Sequence, residues 1–149
     1  ASTGAKDKTE SFNLSKLLDE TIDNYDNENI QKKFEKKLFF NGRKNLIQRC
    51  INNLIDNSIR YSKKILINLE KDNSNILLFI DDDGPGIPKE EYHNIIKPFY
   101  KIDKSRSEKS SSVGLGLSIS SDIIRSHGGK IELGNSKMGG LKAVISLPF

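Results

Sequence analysis

The chain has 149 residues, of which 35% are hydrophobic and 30% charged, and its formal net charge is +4. This length fits one domain with its own core, and the low hydrophobic fraction predicts a lean core under a heavily solvated surface. Acidic and basic residues are interspersed, which favours a mixed surface over a nucleic-acid-binding face, so we expect no nucleic acid partner.

The single cysteine and the polar N-terminal residues indicate the cellular compartment. Cys50 has no second cysteine to pair with, so we expect a reducing, cytoplasmic environment. No run approaches the roughly 18 apolar residues of a membrane helix, and the first residues lack a signal-peptide pattern. We expect residues 1–11 to be a linker or vector-derived segment and residues 12–149 to form one soluble domain.

Hydrophobic periodicity predicts helices and strands along most of the chain. Three long segments have apolar residues at helical spacing, and shorter ones have the alternation or continuous apolar runs of strands. In chain order we predict a helix over 14–25 capped by Asn13, a linker over 26–31, a short strand over 34–40, a helix over 44–62, a hairpin of strands 65–69 and 76–80, a brief helix over 88–96, a mobile loop over 101–112, a helix over 116–126, and strands 131–133 and 143–147.

The order of these elements indicates a fold class. Helices and strands mix without the regular alternation of a doubly wound fold, and the apolar hairpin is suited to the centre of a sheet. We therefore predict an α+β domain in which helices cover one face of a single sheet.

An acidic turn follows the most apolar strand. Three aspartates run from Asp81 to Asp83 and are followed by Gly84-Pro85-Gly86. Asp83 directly precedes the glycines, so we predict that its carboxylate accepts a hydrogen bond from the exocyclic amine of adenine while the glycines let the ring approach. The alternative is a plain tight turn, although three like charges in a row are costly for a purely structural one.

The helix over 44–62 carries amides on one face. Asn53, Asn57 and Tyr61 are four residues apart, with Arg60 beside them. An asparagine oxygen is a hard, neutral ligand that Mg²⁺ accepts when phosphates supply the negative charge, so Asn57 is the candidate metal ligand. The alternative is an ordinary solvated face.

Glycines near the last predicted helix suggest a phosphate site. Gly114 and Gly116 are expected just before the helix, where free backbone N–H groups attract phosphate. The glycine-lysine phosphate loop is absent, and no strand precedes Gly114 as a dinucleotide fingerprint requires. The basic loop before these glycines could close over phosphates or could simply be solvated; its cations are Lys101, Lys104, Arg106 and Lys109.

Taken in order, these segments resemble the ATP-binding domain of sensor histidine kinases, within the superfamily that includes gyrase, the Hsp90 chaperones and MutL (GHKL). Four motifs carry the resemblance: Arg49–Ser62 looks like the N box, Asp81–Ile87 like the G1 box, Lys97–Tyr100 like the F box and Gly114–Ile119 like the G2 box. The tail from Ile131 to Pro148 is similar to that of EnvZ-like osmosensor kinases.

The resemblance implies a two-layer α/β sandwich, the Bergerat fold, with a mixed sheet of about five strands covered by three helices. It also implies that Mg-ATP binds between the N-box helix and a lid. By position, Asn57 is the Mg²⁺ ligand and Asp83 binds the base. The other implied nucleotide contacts are Asn53, Arg60, Tyr61, Gly84, Gly86, Ile87, Phe99, Lys104, Arg106, Gly114, Leu115, Gly116 and Leu117.

Catalytic roles carried over by the resemblance fall on Asn53, Arg60 and Arg106. ATP-hydrolysing relatives have a glutamate at the position of Asn53. Since asparagine cannot take a proton, hydrolysis should be slow and phosphoryl transfer favoured. The chain departs from the family pattern at Ser112-Val113, where a glycine and a small hydroxyl residue are usual.

The implied partners lie outside this chain. Neither His93 nor His127 sits in the His-Glu setting that the family phosphorylates, so the acceptor is expected on a separate dimerisation domain of the same kinase, with a response regulator next in line. We expect this chain to be a monomer and its parent a membrane-bound homodimer. The alternatives are a degenerate nucleotide-sensing module and a GHKL-type ATPase, the latter disfavoured by Asn53.

Overall fold

The computed structural model describes residues 8–25, 29–34, 37–96 and 108–149. Within these residues the elements are, in chain order, β1 (Glu10–Asn13), α1 (Leu14–Asp23), β2 (Ile30–Phe34), β3 (Phe39–Gly42), α2 (Lys44–Tyr61), β4 (Ile65–Lys71), β5 (Asn75–Asp82), a 3₁₀ turn (Lys89–Glu91), α3 (Tyr92–Ile95), α4 (Glu108–Ser126), β6 (Lys130–Asn135) and β7 (Leu141–Pro148). No helix in these ranges is long and apolar enough to span a bilayer.

The main sheet has five strands in the order β2-β4-β5-β7-β6. Strand β2 is parallel to β4, and the remaining pairs are antiparallel. The mixed five-stranded sheet is therefore confirmed, with the predicted hairpin of β4 and β5 at its centre. Strands β1 and β3 form a separate antiparallel ribbon.

One face of the sheet is buried under helices. Along β5, every second residue is buried from Ile76 to Asp82, and the residues between them are only half-buried. Strands β4 and β7 alternate in the same way, and the core-facing residues of α1 and α2 are buried with them. Each strand and each helix therefore has one buried face, and these faces pack against each other to form two layers.

Helices α2 and α4 pack antiparallel. At their ends, the Arg43 backbone N–H before α2 donates to His127 Nε2 after α4 at 3.0 Å. Midway, the Ser120 hydroxyl donates to the Cys50 carbonyl oxygen at 3.2 Å. Burial raises the pKa of the Cys50 thiol to about 12, so Cys50 is a packing residue and not a nucleophile.

Three predicted boundaries differ from the structure. Strand β1 begins at Glu10, inside the first segment predicted as linker. Strand β2 begins at Ile30, inside the linker predicted over 26–31, so the strand predicted over 34–40 contains only the end of β2 and the start of β3, which belong to different sheets. Helix α4 begins at Glu108 instead of Gly116. Residues 108–112 were predicted as loop because they are polar. No proline interrupts residues 108–115, and a glycine costs a helix only about 1 kcal/mol, so the helix can begin before the glycines.

Candidate functional site

The asparagines of helix α2 lie on two different sides of the helix. Asn52 and Asp56 face α1, where the Tyr25 hydroxyl contacts Asn52 Oδ1 at 3.1 Å and donates to Asp56 Oδ1 at 2.7 Å. Burial and the hydrogen bond to Asp56 raise the pKa of Tyr25. Asn53 and Asn57, both half-buried, lie on a different side of the helix.

The side of α2 that carries Asn53 and Asn57 faces α4. Asn57 follows Cys50 by seven residues, nearly two full turns, so it projects in almost the same direction as this contact residue. Since the two helices are antiparallel around the contact of Cys50 with Ser120, Asn53 lies level with about residue 117 and Asn57 with about residue 113 of α4. The structure thus brings the N-box amides opposite the G2-box segment.

Open space lies beside this part of α4. Apart from its chain neighbours and the backbone of α4, a Cβ atom built on Gly116 would meet no atom of the described chain within 4 Å, whereas Leu117 beside it is 1% exposed and belongs to the core. The prediction that Gly114 and Gly116 precede the helix is wrong, because both lie within α4.

The three aspartates of the acidic turn have different environments. Asp81 is half-buried on the sheet face away from the helices. Asp82 is 6% exposed, and its Oδ1 accepts hydrogen bonds from the backbone N–H groups of Gly84 and Leu141, both at 3.0 Å. The Ser58 hydroxyl of α2 also hydrogen-bonds this carboxylate, while burial raises the Asp82 pKa above its usual value. Asp82 is therefore the one aspartate that faces the helix layer.

Asp83 has a structural role at the surface. Its Oδ1 accepts hydrogen bonds from the backbone N–H groups of Lys63 at 2.8 Å and Lys64 at 2.9 Å, and these bonds lower its pKa. Asp83 thereby fastens the acidic turn to the chain that leaves α2. Its contacts do not favour the predicted role in base recognition.

The prediction from the sequence missed Asp82 because it chose the aspartate that directly precedes the glycines. The signal that could have found it is the period of the strand. Ile76, Leu78 and Ile80 point into the core, so a period of two puts Asp82 on the buried face and Asp83 on the other.

Two glycines around the acidic turn, Gly84 and Gly140, are required by close backbone approach. A Cβ on Gly84 would lie 2.5 Å from the Tyr61 carbonyl oxygen, and one on Gly140 would lie 2.6 Å from the Asp82 carbonyl oxygen. Gly84 therefore lets the turn pack against the end of α2, which is a different reason from the predicted approach of a ligand. Gly86 has φ +75°, a backbone conformation that favours glycine.

A groove opens at the C-terminal end of α2. Its volume is about 690 Å³. It is lined by Arg60, Tyr61, Ser62, Lys63, Asp83, Gly84 and Pro85. Four predicted contact residues thus share one surface, and its two cations make it attractive to phosphate oxygens.

The remaining predicted residues divide into two groups. Ile87 is half-buried and packs against the core. Phe99, Lys104 and Arg106, together with the predicted lid, lie outside the described residues, and of Gly114 and Leu115 only the helical backbone is described.

Neither histidine is placed for chemistry. His93 is exposed on the short helix α3. His127 lies at the end of α4, as predicted, where Nε2 accepts the Arg43 N–H and Nδ1 lies 2.8 Å from the Ile123 carbonyl oxygen. Because Nε2 accepts this N–H, Nδ1 is the nitrogen that can donate to the Ile123 carbonyl oxygen.

This two-layer fold carries a buried carboxylate, amides and a cationic groove, and these groups are suited to binding a nucleotide. Residues 42–149 match the family described as histidine kinase-, DNA gyrase B-, and HSP90-like ATPase. The chain belongs to this family.

Curated relatives are sensor kinases. The chain is 38% identical over 109 residues to the sensor histidine kinase CpxA of Escherichia coli K12, covering 72% of this chain and 24% of CpxA. It is 36% identical over 107 residues to the sensor histidine kinase GtrS of Pseudomonas aeruginosa, covering 72% of this chain and 22% of GtrS. The chain thus spans about a quarter of the length of these relatives. The similarity to EnvZ-like kinases remains a prediction.

Solved structures agree on the fold. The catalytic domain of histidine kinase ThkA superposes with a TM-score of 0.79 at 28% identity, covering 95% of this chain and 97% of that one. The mycobacterial sensor histidine kinase MprB has a TM-score of 0.78 at 24% identity and covers 95% of this chain and 97% of its own, which supports the fold.

The packing of Gly84 yields a stability prediction. Gly84→Ala places a Cβ against the Tyr61 carbonyl oxygen, and such overpacking should cost about 1–3 kcal/mol of unfolding free energy. The matched control is Gly134→Ala in β6, where a Cβ would meet nothing within 4 Å. Urea unfolding of both variants measures the difference. Equal stability of the two variants would contradict the close approach.

Proposed function

We propose that this chain is the catalytic domain of a sensor histidine kinase. It binds Mg-ATP and transfers the γ-phosphoryl group to a histidine on a separate dimerisation domain of the same kinase, from which a response regulator receives it. Support comes from family membership, from the sensor kinases it resembles and from the site geometry. The cytoplasm is the compartment that supplies ATP to such a domain, and we place the chain there.

The observation that carries this function is the buried Asp82. A carboxylate in the helix layer is costly to bury without hydrogen-bond donors. Asp82 has such donors, it lies next to α2 at the end of the central strand, and it keeps acceptor capacity for a ligand. We assign recognition of the adenine amine to Asp82 in place of Asp83, whose Oδ1 is engaged by Lys63 and Lys64. Tyr61 and Ile87 then contribute apolar surface near the base.

The amides of α2 suit an ion that arrives with the nucleotide. Within the described residues no cluster of three or more His, Cys, Asp or Glu side chains could hold a metal alone. The neutral oxygen of Asn57 fits Mg²⁺ that is already bound to phosphates. When bound, this ion would neutralise charge on the triphosphate.

The chemistry favours transfer over hydrolysis. Asn53 would lie beside the phosphates, where its amide cannot act as a base, so an attacking water is not activated. Arg60 at the groove, with Lys104 and Arg106 from the predicted lid, would offset charge on the transferred group. The domain contributes positioning and electrostatics, and the acceptor histidine supplies the nucleophile.

Phosphate binding at the G2 box requires a change in α4. The N–H groups of Gly114, Leu115, Gly116 and Leu117 lie inside this helix, where carbonyl groups of the preceding turn compete for them. We infer that the helix unwinds to about Gly114 when nucleotide binds. Glycine weakens a helix by about 1 kcal/mol relative to alanine, so two glycines here make the first turns easier to unwind.

The assignment of the base-binding aspartate can be tested with a matched pair. Asp82→Asn keeps an oxygen for the Gly84 and Leu141 N–H groups but removes the charge, and ATP affinity should fall about tenfold or more because a charge-assisted hydrogen bond is lost. Asp83→Asn should change it less than about threefold. Isothermal titration calorimetry measures both. The reverse order would restore the assignment to Asp83.

The metal role of Asn57 can be tested by metal removal. Asn57→Ala should weaken ATP binding in the presence of Mg²⁺ by about tenfold and should match the wild type when EDTA is present. The control is Asn52→Ala, which loses the Asn52 side-chain contact with Tyr25 in the described chain and should leave the Mg²⁺ effect intact. An equal loss in EDTA would show that Asn57 does not act through the metal.

Phosphoryl transfer is the direct test of function. With γ-labelled ATP, the label should move to the dimerisation domain of the parent kinase, and the isolated chain should hydrolyse ATP only slowly. Binding without transfer would favour a nucleotide-sensing module. Rapid steady hydrolysis by the chain alone would favour an ATPase.

A further inference from the structure

Ser58 is a buried hydroxyl in the middle of the proposed site. It follows Asn57 directly on α2 and is 6% exposed. Serine is a poorer helix former than alanine, and its hydroxyl is costly to bury without a partner. The partner here is the Asp82 carboxylate. This contact links the N-box helix to the end of β5.

The carboxylate of Asp82 has nearly all of its acceptor sites in use. An ionised carboxylate offers about four lone-pair sites. Two hydrogen bonds come from the N–H groups of Gly84 and Leu141, both to Oδ1, and a third comes from the Ser58 hydroxyl. About one site is left for a ligand, and it can only accept a hydrogen bond.

We propose that Ser58 is a positioning residue that fixes the base specificity of this domain by holding Asp82 as an acceptor for a single exocyclic amine. The inference rests on the proposed function and goes beyond it, because it assigns selectivity to a residue that need not touch the nucleotide. A base with an amine at the recognised position supplies a donor. A base with a carbonyl oxygen at that position places this acceptor against the Asp82 carboxylate, which is also an acceptor, so the base is rejected.

Several neighbouring groups set the pKa of Asp82, and the Ser58 hydroxyl is one of them. Burial and the neighbouring Asp83 charge raise the pKa of Asp82, whereas the backbone donors Leu141 and Gly84 and the Ser58 hydroxyl lower it. Within the described chain these are the groups that act on it from β5, β7, the turn and α2. Without the hydroxyl the pKa of Asp82 rises further, so protonation occurs at higher pH.

Protonation would reverse the selectivity. A protonated Asp82 carries an O–H that can donate to a carbonyl oxygen, so a keto base would then be accepted. Loss of the Ser58 hydroxyl should therefore move the pH at which selectivity disappears. A purely structural role for Ser58 would change stability without moving this pH.

The test compares ATP with ITP, whose hypoxanthine ring has a carbonyl oxygen in place of the adenine amine. The variant is Ser58→Ala and the matched control is Ser121→Ala. Ser121 lies on α4, is 1% exposed, and its Oγ has no hydrogen-bond partner within the described chain. Dissociation constants of both nucleotides are measured from pH 5 to 8 at constant ionic strength, and thermal unfolding of each variant is followed in parallel.

For the wild type and Ser121→Ala, ATP should bind more tightly than ITP at neutral pH, with the preference falling in acid. In Ser58→Ala the midpoint of that fall should move up by about one pH unit, the size expected from losing one hydrogen bond to a charged group. An unchanged midpoint in Ser58→Ala would overturn the proposal.

The outcomes separate this inference from the function on which it rests. If Asp82→Asn weakens ATP binding but Ser58→Ala behaves as the wild type at every pH, Ser58 has no positioning role and the proposed function stands. If the wild type binds neither nucleotide at millimolar concentration, the proposed function fails and the inference with it.

Discussion

The buried carboxylate of Asp82 is the interaction on which the architecture of the site depends. It receives hydrogen bonds from the turn at Gly84, from the start of β7 at Leu141 and from α2 at Ser58. A charge can remain in this layer only because such donors surround it. The same bonds join α2, β5 and β7, so the group proposed to recognise the base also holds its surroundings in place.

The second constraint is the antiparallel packing of α2 on α4. Contacts at Arg43 with His127 and at Cys50 with Ser120 set the register of the helices. Farther along α4, a Cβ on Gly116 would meet no atom of the described chain outside this helix within 4 Å, near the level of Asn53. The packed end thus fixes the position of the side chains that α2 presents near Gly116.

This architecture suits a domain that binds and presents a phosphoryl group. Fixed elements provide the acid proposed to bind the base and the amides of α2, and the glycine-containing turns of α4 provide the part proposed to change on binding. The ring of His127 is engaged through both nitrogens, by the Arg43 N–H and the Ile123 carbonyl oxygen, which agrees with an acceptor supplied from outside the described chain. The domain and its acceptor would then meet only for the transfer.

The sequence by itself determined the elements with a strong period. The helices α1 and α2, the hairpin of β4 and β5, and the end of α4 before Gly128 were predicted because apolar residues repeat at the spacing of each structure. The four motifs also determined the family. Only the tertiary structure decided that Asp83 binds the chain that leaves α2, that β2 and β3 join different sheets, and that α4 starts at Glu108. These features depend on which face a residue presents and on which partner a segment packs against, and contacts between residues distant in the chain set both.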